Sequence, residues 1–177
     1  MNLQEKEKKR TRFSRHDGPG EHPYGDSGQV ICLAAFLVIW ILDSFVFRAS
    51  TFLGGYVPIL VRLGAAGLVF AAVVYFVQSG HRVISGDSHR QQGLTKDGAF
   101  ARVRHPLYCG SLLFYLGLVL ISFSLCSLAA LGGIFAFYNF IASYEEKLLA
   151  QEYGLEYRRY QKEVPKWLPR VRAARFT

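Results

Sequence analysis

The sequence predicts an all-α integral membrane protein. It reads as about four transmembrane helices, a cytoplasmic loop between the second and third, and a C-terminal interfacial helix. Three observations carry this expectation. The first is that residues 107–144 contain no Asp, Glu, Lys or Arg. One helix of those 38 residues would be ~57 Å long, about twice the ~30 Å hydrocarbon core of a bilayer. The run therefore reads as two crossings folded at Ser122-Phe123-Ser124. The second is that two further long apolar stretches, 30–47 and 52–77, replace the dispersed amphipathic pattern of a soluble domain. The third is charge placement. Residues 1–26 carry six Lys/Arg, 80–105 carry five and 147–177 carry eight, which is 19 of the 21 in the chain. Four crossings put these segments on one face, and the positive-inside rule makes that face cytoplasmic, with both termini there.

Residues 1–26 form a charged, Gly/Pro-interrupted cytoplasmic arm with no apolar core. No cleaved signal peptide is expected, and the first crossing can serve as the insertion signal. The first two crossings occupy 27–79. Asp43 lies late in the outward one and Arg62 early in the returning one. An unpaired charge at that depth is costly, so an Asp43–Arg62 ion pair is expected. The polar connection 80–105 is long for a compact membrane protein and contains His81, His89, Gln91, Gln92 and the stretch 93–100. Pro106 suits the first turn of the third helix, where its missing N–H costs nothing. That helix N-terminus, beside Arg102 and Arg104, favours a carboxylate or phosphate. Beyond the fourth crossing, Leu149, Tyr153, Tyr157, Tyr160 and Val164 recur at helical spacing, a Tyr-rich stripe suited to a helix in the membrane interface. Gly154 breaks that helix in two, and residues 164–169, with Pro at 165 and 169, end it.

Folding the uncharged run in half brings Arg104-His105-Pro106-Leu107-Tyr108 to the same face as Glu145-Glu146. Acidic residues closing a helix oppose its macrodipole, which calls for a functional explanation. One His beside an adjacent Glu pair is a poor metal ligand set, and Cys32, Cys109 and Cys126 have no metal or redox spacing, so no metal is expected. The net charge of +8 is accounted for by topology and anionic head groups. The expected partner is therefore the lipid bilayer and not nucleic acid. No Gly-x-Gly-x-x-Gly is present, which excludes the usual soluble dinucleotide fingerprint.

From about Leu94 to Pro169 the chain resembles the isoprenylcysteine carboxyl methyltransferase family of membrane enzymes. The resemblance rests on Leu94-Thr95-x-x-Gly98-x-Phe100, Arg104-His105-Pro106-Leu107-Tyr108-x-Gly110 and Glu145-Glu146-x-Leu148. Tyr153-Gly154-x-x-Tyr157-x-x-Tyr160 and Val164-Pro165…Pro169 complete it. It makes residues 80–177 a methyltransferase core, comprising a cofactor loop, a transmembrane hairpin and a C-terminal interfacial helix. The resemblance implies S-adenosyl-L-methionine as methyl donor. By the same resemblance, Gln92, Leu94, Thr95, Gly98, Phe100, Arg104, His105, Pro106, Leu107, Tyr108, Glu145 and Glu146 are its candidate contacts. Those residue types suit the cofactor: helix N–H groups for its carboxylate, Glu145 for its ammonium or ribose diol, and Phe100 or Tyr108 for its adenine.

Two positions depart from the family pattern. Phe100 stands where Tyr is usual. The arginine that engages substrate shortly before the glutamate pair is missing from residues 140–144. The acceptor that the resemblance implies is a lipophilic small molecule or lipidated substrate, with a prenylcysteine-like carboxylate leading and a thiol or amino-phospholipid as alternatives. A non-enzymatic small membrane protein is the remaining alternative. No catalytic residue is singled out, because an ionised carboxylate acceptor needs no general base.

Overall fold

The computed structural model describes residues 25–85, 94, 96 and 98–169, and among them every regular element is helical. Helix α1 (Gly25–Ile41) runs on through a π-helical turn (Leu42–Phe47) and stops where Arg48 turns left-handed at φ 51°. Helix α2 is Ile59–Ser85, α3 is Pro106–Ser122, α4 is Leu125–Tyr153 and α5 is Leu155–Glu163. Short 3₁₀ turns at Phe52–Gly55 and Gly98–Ala101 precede α2 and α3. The N-terminal arm, Gln92 and Thr95 lie outside the described residues.

Among the described residues, three helical stretches are long and apolar enough to cross a membrane: Ser27–Phe47, Ile59–Ser79 and Leu125–Tyr153. The chain is an integral membrane protein. Helix α3 is equally apolar but only 17 residues long, or ~25 Å, at the short end of what a bilayer needs. Large apolar side chains stand outward on the first two spans, among them Val30, Ile31, Leu60 and Leu68, as lipid-facing surfaces require. Helix α2 continues through residue 85, so the polar connection expected from residue 80 starts later.

The uncharged run breaks at Phe123, whose φ of 54° ends α3 while its N–H bonds the Val119 carbonyl at 2.7 Å. Ser124 then caps α4, its Oγ accepting from the Ser127 N–H at 3.0 Å. This satisfies one of the donors a helix start leaves open. Tyr115 faces Tyr138 and Tyr108 faces Glu145, so α3 and α4 form an antiparallel hairpin. Phe36 of α1 completes its core, with its ring 4.6 Å from that of Tyr115. Helix α2 lies close along α3 because Gly110 and Gly117 leave room. A Cβ on Gly110 would sit 3.2 Å from Val77, and one on Gly117 only 2.7 Å from the Phe70 ring. Small residues that let helices approach are the usual means of packing within lipid.

The expected Asp43–Arg62 ion pair does not form. Asp43 instead accepts from the Ser50 N–H at 3.0 Å and from the hydroxyls of Ser50 and Ser124. Arg62 donates to the Ile121 carbonyl at 3.0 Å. Both charges are spent on the α3–α4 turn, where the last carbonyls of α3 and the serines of the α4 cap need partners. Trp40 joins them, its indole N–H reaching the Leu118 carbonyl at 3.0 Å and Ser122 Oγ at 3.1 Å.

The α2–α3 contact gives a direct test. Gly117→Val should destabilise the detergent-solubilised protein by ~1–3 kcal/mol through overpacking. Adding Phe70→Ala should recover part of the loss. Thermal unfolding of the two variants checks this, and an unchanged Gly117→Val midpoint would refute the close packing.

Candidate active site

His105 occupies the N-cap of α3 and Pro106 its first turn, and no side chain caps the helix. The fixed proline φ starts the helix, and its missing N–H leaves no orphan donor there. The preceding Arg104 is held by its own N–H, which donates to the Pro165 carbonyl at 3.0 Å. Opposite stand two adjacent glutamates of α4. Neighbours on a helix point about 100° apart, and each meets a different residue of α3. Tyr108 Oη donates to Glu145 Oε1 at 2.6 Å, and His105 Nε2 lies 3.0 Å from Glu146 Oε1. Arg104 Nε approaches the same Glu146 oxygen at 3.2 Å. That contact is ionic, and the buried Nε has no aligned hydrogen-bond acceptor. Gln161 Nε2 donates to the second Glu146 oxygen at 3.3 Å.

The imidazole is only 8% exposed. Burial pulls its pKa below the ordinary histidine value, with Glu146 opposing and Lys166 and Arg104 assisting. A neutral ring bonded to a carboxylate carries its proton on Nε2, facing Glu146. Nδ1 is 3.7 Å from Glu145 Oε2, beyond hydrogen-bond reach. The Tyr108 ring stacks 5.7 Å from that of His105 and packs 5.1 Å from that of Tyr138. It is buried, whereas Phe100 is partly exposed, so of the two rings expected to receive an adenine it is the less accessible.

Residues after α5 close the site. Trp167 sits 6.0 Å from the His105 ring and 5.3 Å from that of Phe135, and its indole N–H donates to Asn139 Oδ1 at 3.1 Å. The neighbouring Lys166 donates to Ser143 Oγ at 2.7 Å. Cys109 Sγ bonds the Trp167 carbonyl at 3.4 Å. Asn139, Gln161, Lys166 and Trp167 escaped the sequence reading. The Trp between two prolines was the available signal, but it read only as a helix stop.

The structure brings Arg104, His105, Tyr108, Glu145 and Glu146 into one network, with Pro106 buried at its edge. Leu94 lies under α5, packed against the Tyr157–Tyr160–Val164 cluster, and the Phe100 carbonyl accepts from Tyr160 Oη at 2.8 Å. Gly98 (φ 60°) turns the chain into this segment. Leu107 contributes its carbonyl to Ser111 within α3. Two expectations need correction. Glu145 and Glu146 do not close α4, which runs on to Tyr153, so their pairing with α3 replaces the macrodipole argument. The Tyr stripe of α5 faces protein, with Tyr157 and Tyr160 buried against Leu149, Ala150 and Tyr153. Burying both the rings and the Tyr160 hydroxyl bond is worth more than leaving them in the interface.

Between the end of α4 and α5 lies an open groove of about 830 Å³, whose walls include Ser143, Glu146, Lys147, Arg158, Arg159 and Lys162. Glu146 is the predicted site residue on that wall. No group of three or more His, Cys, Asp or Glu among the described residues is placed to hold a metal ion.

The phospholipid methyltransferase (PEMT) family matches residues 60–156, more than half of the chain. The chain belongs to the phospholipid methyltransferase family. The match covers α2, α3, α4 and both halves of the paired motif. Among curated relatives, the cobalt-zinc-cadmium resistance protein CzcN of Cupriavidus metallidurans is 32% identical over 76% of this chain and 61% of its own length. Two others bear out the resemblance read from the motifs. The protein-S-isoprenylcysteine O-methyltransferase of Schizosaccharomyces pombe is 28% identical over 57% of this chain and 43% of its own length. Protein-S-isoprenylcysteine O-methyltransferase A of Arabidopsis thaliana is 28% identical over 57% of this chain and 52% of its own. The chain thus spans between 43% and 61% of the length of these relatives. No solved structure matches it.

The depressed His105 pKa fixes the sign of a pH effect. Below the ordinary histidine pKa of about 6.5, an unfolded chain takes up a proton that the folded site resists. Stability contributed by this group therefore rises with pH through that window and is complete above it. Unfolding midpoints measured from pH 5 to 7.5 should rise for the wild type, with a shallower slope for His105→Gln. Equal slopes would show that His105 is not held neutral.

Proposed function

We propose that this methyltransferase-family protein is an S-adenosyl-L-methionine-dependent enzyme that methylates a lipophilic acceptor, foremost a prenylcysteine-like carboxylate. The observation that carries the reading is the meeting of the Arg104-His105-Pro106-Leu107-Tyr108 and Glu145-Glu146 motifs at one end of an apolar hairpin. The residues present suit the cofactor. The α3 N-terminus has no side-chain cap, so its N–H groups can receive a carboxylate. Glu145 and Glu146 supply acceptors for an ammonium or a ribose diol. Phe100, partly exposed beside this end of α3, offers an aromatic face. Gln92, Leu94, Thr95 and Gly98 complete the proposed cofactor loop.

When bound, the cofactor would supply a methyl group on a cationic sulfonium. The chain's part is alignment and exclusion of water. Neutral His105, fixed by Glu146 and covered by Trp167, keeps the α3 terminus rigid and dry. Glu145 and Glu146 would hold the cofactor through its ammonium or ribose hydroxyls, which fixes its position for transfer. No residue need remove a proton from a carboxylate acceptor, which is already ionised at neutral pH. The basic segments favour a four-crossing topology, with α3 as the short third span. In that topology both termini and the site lie at the cytoplasmic surface.

The alternative acceptors, a thiol or an amino-phospholipid, use the same cofactor site. A non-enzymatic role does not. Isothermal titration of the purified protein with S-adenosylmethionine separates these classes. His105→Ala and Glu145→Gln should each weaken binding about tenfold or more, the scale expected from losing one charge-assisted hydrogen bond, while both variants stay folded in detergent. Unchanged affinity in both would remove the site assignment.

A further inference from the structure

The groove between α4 and α5 carries a charge imbalance that the cofactor reading does not use. Lys147, Arg158, Arg159 and Lys162 line it, and none of the four makes a side-chain ion pair among the described residues. Its one carboxylate, Glu146, is already engaged by Arg104, His105 and Gln161. The acids of α5 do not compensate: Glu156 is tied to Lys96, and Glu163 does not reach the groove wall. Four cations on one groove, none of them in a side-chain ion pair among the described residues, outnumber its single carboxylate and favour an anion. The size of about 830 Å³ suits a head group with part of a chain rather than a lone ion.

An apolar track leads to the same place. Phe137, Phe140 and Tyr144 lie on one face of α4, 39%, 68% and 42% exposed, and Lys147 follows three residues later. Leu155, 75% exposed, stands at the groove's other side. The track runs along a helix of spanning length, so it faces the acyl region where the groove faces the head groups. A positive pocket at the end of an aromatic track is complementary to an anionic amphiphile. It also supplies cations in a chain that lacks arginine in residues 140–144.

We propose that this groove anchors the methyl acceptor. The acceptor would be an amphiphile with a phosphate or carboxylate head group held by Lys147, Arg158, Arg159 and Lys162, and with its apolar part along Phe137, Phe140 and Tyr144. The assignment as acceptor site rests on the methyltransferase reading, whereas the binding of an anionic amphiphile does not.

The full chain in a non-ionic detergent can be titrated with dihexanoyl phosphatidic acid, dihexanoyl phosphatidylcholine, inorganic phosphate and, separately, S-adenosylhomocysteine. The test variant is Arg158→Gln/Arg159→Gln/Lys162→Gln, whose three side chains are exposed and outside the core. Phosphatidic acid should bind once per chain, more tightly than phosphatidylcholine or inorganic phosphate. The triple variant should lose at least tenfold of that affinity while binding S-adenosylhomocysteine as the wild type does. Equal phosphatidic acid affinity in the variant would overturn the proposal. So would inorganic phosphate binding as tightly as the lipid, which would make the ligand a free anion. Loss of S-adenosylhomocysteine binding in the variant would assign the groove to the cofactor instead. A wild type that binds phosphatidic acid but no S-adenosylhomocysteine would remove the methyltransferase reading, and the acceptor assignment with it.

Discussion

The junction of α3 with α4 through Tyr108–Glu145 and His105–Glu146 is the constraint on which the rest of the site depends. It lies where the uncharged stretches of α3 and α4 end, a place where charged groups are kept only if they are paired. The opposite end of the hairpin is tied just as firmly. Asp43, Arg62 and Trp40 all bond the turn at residues 118–124. A hairpin pinned at both ends cannot slide in register without leaving buried polar groups unpaired. That is how a mostly apolar interface, which by itself specifies register weakly, can hold side chains at a fixed separation.

The C-terminal segment adds the second constraint. Tyr157 and Tyr160 seat α5, and Pro165 and Trp167 then cross the α3 terminus, covering His105. Burial lowers the imidazole pKa, and the covering residues lie some sixty positions away, so packing remote in sequence favours the neutral ring. Gly154 makes the path possible. Its φ of 54° and ψ of −120° turn the chain between α4 and α5, a conformation that side chains disfavour.

Much of this was legible because charge in a membrane protein is sparse. The uncharged run could only fold in half, and the paired serines around Phe123 marked where. That fold forced residues 104–108 against 145–146 before any distance was known. Asp43 was misassigned for a physical reason. Depth arithmetic pairs charges by position along ideal helices, but the π-turn at Leu42–Phe47 and left-handed Arg48 change the local register and bring Ser50 back to the carboxylate. The length of α4 was misread because residues 145–153 are good helix formers with no break before Gly154. The covering strap was invisible because its contacts are long-range, and two of them use its own backbone carbonyls, which leave no pattern in side-chain spacing.

The central claim, that the two motifs form one coupled unit, is tested most directly by a double-mutant cycle on Tyr108→Phe and Glu145→Ala, read as unfolding free energy in detergent. A buried hydrogen bond to a carboxylate predicts a coupling energy of about 1–3 kcal/mol between the two positions. Additive effects, with coupling indistinguishable from zero, would contradict the account. They would show that α3 and α4 carry their polar residues independently.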